Sequence, residues 1–103
     1  MAKGYWIAQV DVADPEAYKA YIAANGPVFR KYGARFLVRG GTHEVMEGGM
    51  RARKVVIEFK DYATALACYR SPEYAAAIAL RRDASTADLV IIEGYDGPQP
   101  GDG

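Results

Sequence analysis

Arg39, Glu58 and His43 carry the chemistry that this sequence can offer. A charge that interrupts an apolar strand is informative because a buried, unpaired charge costs several kcal/mol and must find a partner, a ligand or water. Arg39 closes the run Phe36-Leu37-Val38, and Glu58 stands between Ile57 and Phe59. On adjacent strands the two would bracket a pocket, the guanidinium gripping a carboxylate or enolate through two parallel hydrogen bonds and the glutamate moving a proton. An Arg39 to Glu58 salt bridge near the strand ends is the simpler use of the same pair, and strand register decides between them. His43 comes just after Gly40-Gly41, and an imidazole is a side chain suited to proton transfer, although a lone histidine with no visible partner is more often a surface residue. These three are the candidate catalytic residues.

Around them, Trp6, Gln9, Tyr21, Tyr69 and Tyr74 are the candidate substrate contacts. Trp6 and Tyr21, with Tyr5 and Phe36, would make an aromatic wall, and Gln9 is a polar break in the same strand as Trp6. Tyr69 and Tyr74 flank Ser71, where free backbone N–H groups would hold an anion, while Ser71 itself is explained as a helix cap. Cys68 has no cationic neighbour at helical spacing to activate it and reads as a small buried hydrophobe.

Composition narrows the field further. The chain has 103 residues, 13 Lys and Arg against 13 Asp and Glu, one Cys and one His. Zero net charge removes the basic face that nucleic acid binding requires. One thiol makes no intramolecular disulfide, and one His with one Cys makes no ordinary zinc site. Neither a GxGxxG nor a Walker spacing is present, so no nucleotide cofactor, and no other cofactor or metal, is expected. No stretch reads as a membrane span or signal peptide, and the expected location is cytoplasmic. The length fits a single domain over residues 1–96, with a polar Pro/Gly-rich tail over 97–103 expected to be flexible.

The elements that must position these residues follow from periodicity. Tyr5 to Val12 alternates as a strand. Asp14-Pro15-Glu16 opens a helix whose stripe runs through Tyr18, Tyr21, Ile22, Asn25, Val28, Phe29 and Tyr32, polar only at Asn25, with an interruption expected at Gly26-Pro27 and a cap at Gly33. Ala34 to Val38 is a second strand, resuming over His43 to Glu47 after the double glycine. A turn at Gly48-Gly49 leads to a third over Arg53 to Lys60. Asp61 caps a helix over Tyr62 to Tyr69, Ser71 another from Pro72 to Arg82, and Asp88 to Gly94 is the fourth strand. The order βαββαβ predicts an α+β, ferredoxin-like antiparallel sheet with two helical regions on one face. Yet both parities of the strands are apolar, as in Tyr5 with Trp6, Val55 with Val56 and Ile91 with Ile92. A second subunit packed sheet to sheet, a homodimer, is the expected cover.

Five stretches carry a resemblance: Asp14-Pro-Glu-Ala-Tyr18, Tyr32-Gly-Ala-Arg-Phe-Leu-Val-Arg-Gly-Gly41, Arg53-Lys-Val-Val-Ile-Glu-Phe59, Cys68-Tyr-Arg-Ser-Pro-Glu-Tyr74 and Ala87-Asp-Leu-Val-Ile-Ile-Glu-Gly-Tyr95. In this order they resemble the bacterial domain-of-unknown-function family 1330, of the dimeric α+β barrel superfamily, over nearly the whole chain. Similar sequences have proline then serine where this chain has Lys60-Asp61, and Asp61 preserves the cap. The resemblance implies the dimeric barrel and no reaction, since that superfamily spans cofactor-independent monooxygenases, isomerases, haem-degrading proteins and ligand sensors. The expected function is therefore a cofactor-independent enzyme acting on a small anionic or aromatic organic substrate. The alternatives are a non-catalytic metabolite-binding or sensing dimer, and a purely structural one.

Overall fold

A computed structural model describes residues 2–102; Met1 of the predicted domain and Gly103 of the predicted tail lie outside the described residues. The chain forms β1 (Gly4–Val12), α1 (Pro15–Lys31), β2 (Arg35–Arg39), β3 (Arg53–Phe59), α2 (Tyr62–Tyr69), α3 (Pro72–Ala79) and β4 (Ser85–Glu93), then a 3₁₀ turn at Pro100–Asp102. The strands pair antiparallel in the order β2-β3-β1-β4, the ferredoxin-like arrangement that the pattern predicts.

Each helix starts where its cap lies. Asp14 accepts from the Ala17 N–H, Asp61 from the Thr64 N–H at 2.7 Å, and the Ser71 hydroxyl from the Tyr74 N–H while donating to the Cys68 carbonyl. Gly33 takes φ +68° after α1, the left-handed conformation in which its missing Cβ spares strain. Gly4 is buried because β1 begins against the Asp61 backbone, where any Cβ would collide with the main chain.

Four differences from expectation exceed a one-residue shift of an element's end. Helix α1 runs on through Gly26-Pro27: Ala23, whose carbonyl loses its donor at Pro27, is exposed with Pro27, on the side of the helix that solvent reaches. The strand expected over His43 to Glu47 is absent, because β2 is an edge strand and Gly40, at φ +65°, turns the chain away from it. Helix α3 stops at Ala79, where the Leu80 and Arg81 N–H groups tighten onto the carbonyls of Ala77 and Ile78. Strand β4 begins early, at Ser85, since Ala87 and Ser85 continue its pairing along Val10 and Val12.

The two sheet faces have different fates. Trp6 and Ile57, at 2% and 4% exposure, join Phe29, Tyr21 and Tyr74 of the helices in one core. On the other face Val38, Val56, Ile7 and Val90 are cross-strand partners in a single apolar row over all four strands. Val38, Ile7 and Val90 in that row are 41%, 43% and 52% exposed. Beside the row, Arg51 bridges Asp11 at 3.0 Å and Asp88 at 2.8 Å, and its N–H donates to Gln9 Oε1, which pins the returning end of the 40–52 connection to the sheet.

Candidate functional site

A β-bulge decides which side chains meet. Between β2 and β3 the register slips, pairing Phe36 with Ile57 but Val38 with Val56 and Arg39 with Val55. The extra residue, Leu37, reverses the alternation, so Arg39 joins Phe36 and Val55 on the helix-covered face. Its guanidinium lies 4.2 Å over the Phe36 ring. Glu58 keeps the opposite face with Tyr5, whose hydroxyl donates to it at 3.4 Å, and with the Lys3 ammonium at 3.8 Å. The sheet thus separates Arg39 from Glu58, and the two do not bracket a pocket.

The other candidates also divide. His43 is exposed on the 40–52 connection, Nδ1 facing the Gly41 carbonyl and Nε2 the Lys54 ammonium at 3.0 Å. Gln9 serves the outer face through Arg51. Trp6 and Tyr21 do meet on the covered face, and the Tyr21 hydroxyl is 2.7 Å from that of buried Tyr74. Tyr69 stacks on Trp6 and Tyr74 from the helix side with its own edge in solvent.

Where the sheet meets α1 there is a cavity of about 50 Å³. Small side chains make the space, since Ala8 and Ala87 form its floor while Tyr18, Tyr21, Asn25 and Phe29 of α1 roof it. Three arginines line it: Arg39, exposed at the bulged edge, Arg53 from β3 and Arg81 from the turn after α3. Its lining contains no carboxylate and no imidazole.

The three cations differ in support. Arg81 packs 5.2 Å over the Tyr21 ring; burial opposes its charge, and the Tyr74 and Tyr21 hydroxyls outweigh that burial. Arg53 has a buried Nε with no hydrogen-bond partner among the described residues. Asn25, in the same lining, is 5% exposed. Burial pushes the Tyr74 phenol far up, with Tyr21 adding to it, and burial likewise raises Tyr18 against the nearby charges of Arg53 and Arg81. These phenols stay protonated and can donate. Such a lining has the chemistry to hold an anion and to stabilise negative charge developing on it; it offers no strong base.

Sequence reasoning missed Arg53, Arg81, Asn25 and Tyr18. Arg53 shares parity with Val55 and Ile57, and Asn25 is the one polar break in the helical stripe, so both signals were present. Arg81 had none, since its direction depends on how α3 unwinds. The double glycine does permit a close approach: a Cβ on Gly40 would lie 2.6 Å from Arg53 Nη1. Gly40→Ala is therefore expected to displace that guanidinium and add about 1 kcal/mol of left-handed strain. Urea melts should show this small loss as a lower midpoint at constant slope.

Cys68 takes no part. Burial pushes its thiol up to about 12, so it stays a protonated hydrophobe in the core. Among the described residues no group of three His, Cys, Asp or Glu side chains is placed to hold a metal, and no helix is long and apolar enough to cross a membrane.

Known structures share this architecture. A protein of unknown function from Rhodopseudomonas palustris superposes with a TM-score of 0.72 at 20% identity, covering 93% of this chain and 85% of that one. SnoaB, a cofactor-independent oxygenase from Streptomyces nogalater, gives 0.63 at 13% identity over 97% and 99%. A dimeric ferredoxin-like protein of unknown function from Thermobifida fusca gives 0.57 at 18% identity over 89% of each. At these identities the likeness is one of fold. No curated protein matches the chain in sequence. The family model described as Domain of unknown function (DUF1330) matches residues 3–95, so the chain belongs to that family.

Proposed function

We propose that this protein is a homodimer that binds a small organic anion in the cavity between sheet and α1. One observation carries the reading: three arginines line an otherwise mostly apolar cavity whose lining has no carboxylate to neutralise them. The dimer rests on the exposed row Val38, Val56, Ile7 and Val90, an apolar band of the kind that monomers cover, and on the dimeric relative from Thermobifida fusca. Sheet-to-sheet packing leaves the cavity on the far side of each sheet.

Two forms of this function differ in the fate of the bound anion. As a cofactor-independent enzyme, the protein would stabilise an enolate or similar oxyanion with Arg39, Arg53 and the protonated phenols. The fold likeness to a cofactor-independent oxygenase favours this form. As a non-catalytic binding or sensing dimer it would hold the anion unchanged, which the missing base in the lining favours. Glu58 and His43, the bases expected from sequence, lie outside that lining.

A thermal-shift screen of small carboxylates and aromatic acids tests the binding that both share. A ligand at about 100 times its Kd stabilises by about 2.7 kcal/mol, or about 4–8 °C per kcal/mol in a domain of this size. At least one compound should raise the wild-type midpoint by several degrees, and Arg39→Ala should reduce the rise. No shift with any compound contradicts the reading.

A further inference from the structure

We infer that the cavity's ligand is a short-chain carboxylate of about two to four carbons, its head group seated on Arg53 and its alkyl end against Trp6, Ile22 and Leu89. The inference rests on the reading of the cavity as a binding site and names what it takes.

Arg53 is the anchor. Its Nε is buried and without a partner among the described residues, and a charged donor left so is costly until an acceptor reaches it. None of Arg39, Arg53 and Arg81 forms an ion pair among those residues, although the whole chain is balanced at 13 cations and 13 anions. The cavity lining holds these three cations and no acidic side chain. Asn25 adds a largely buried amide in the same lining. A planar carboxylate matches a guanidinium fork with two parallel hydrogen bonds and leaves one further lone pair for an amide.

Size and polarity restrict the rest of the ligand. One water needs about 10–15 Å³ of such space, so about 50 Å³ accepts a handful of non-hydrogen atoms. A benzene ring occupies a cavity of about 150 Å³, which excludes an aromatic acid unless side chains move aside. Inorganic phosphate would fit by volume, but it has no apolar surface to set against Trp6, Ile22 and Leu89, and burying it there sacrifices hydration without return.

Calorimetric titration of the full-length protein with propionate, propionamide, 3-phenylpropionate and inorganic phosphate tests this. Propionate should bind saturably and at least tenfold more tightly than each of the other three. Arg53→Met should weaken propionate at least tenfold, and Arg53→Lys should recover part of the loss. Propionamide binding as tightly as propionate, or an affinity unchanged in Arg53→Met, overturns the carboxylate assignment while the cavity remains a binding site. Tighter binding of 3-phenylpropionate overturns the size limit, and equal binding of phosphate the alkyl contact. If none of the four binds, the inference falls, and if the wider screen of acids is also blank the cavity reading falls with it. The wild-type comparison of propionate with propionamide needs no variant to fold.

Discussion

Ile7→Lys is expected to turn the proposed homodimer into a folded monomer. Ile7 is 43% exposed on the outer sheet face and lies between Val56 of β3 and Val90 of β4 in the apolar row. Its side chain makes no part of the core under the helices, so the subunit loses little by the change. In a two-fold interface one substitution occurs twice, and each ammonium would be buried against apolar neighbours at a cost of several kcal/mol. A weakening of at least 100-fold corresponds to about 3 kcal/mol in total. Light scattering at micromolar concentration should give wild type at twice the 11.2 kDa chain mass and the variant near 11.2 kDa. Far-ultraviolet circular dichroism should be unchanged. A wild-type protein already at the chain mass contradicts the dimer.

Trp6→Ala is expected to cost about 3–5 kcal/mol, the range for truncating a large buried ring. Against a total of about 5–15 kcal/mol for a domain, that approaches unfolding at ordinary temperature. The indole is 2% exposed, and its Nε1–H donates to the Ala65 carbonyl at 2.9 Å. Its ring meets Phe29 and Tyr74 edge to face at 5.2 and 5.0 Å and Phe59 at 5.5 Å, so one truncation loosens β1 from both helical regions. Trp6→Phe keeps most of the ring packing and loses only the indole hydrogen bond to the Ala65 carbonyl, which stays in the α2 ladder, and should cost less than half as much. Urea denaturation, read as a change of midpoint at constant slope, measures both.

Much of this fold is legible in the sequence because its signals are local. Asp14-Pro15, Asp61 and Ser71-Pro72 mark helix starts through single hydrogen bonds that their neighbours must satisfy, and the alternation of β1, β3 and β4 reads directly from parity. The site is less legible, for a reason located at Leu37. A single bulge residue reverses every later side chain of β2, so parity counted from Phe36 puts Arg39 on the wrong face and pairs it with Glu58 across a barrier. Pairing register is a property of two strands at once, and nothing within Arg35–Arg39 announces the slip. His43 falls outside any strand because Gly40, at φ +65°, turns the chain away from the sheet before it. Asn25 shows the opposite case: one polar residue in an apolar stripe points to the cavity, and the stripe places it on the roof.

The emission of Trp6 tests the central claim most directly. It is the chain's one tryptophan, and its indole forms part of the cavity wall. A ligand entering beside it changes the ring's surroundings and therefore its fluorescence. Titrating the protein with propionate, which does not absorb where tryptophan does, should give a saturable change in intensity or wavelength that is strongly weakened in Arg53→Met. An emission that stays constant across the titration, or a curve identical in the two proteins, would contradict an anion bound at Arg53 in this cavity.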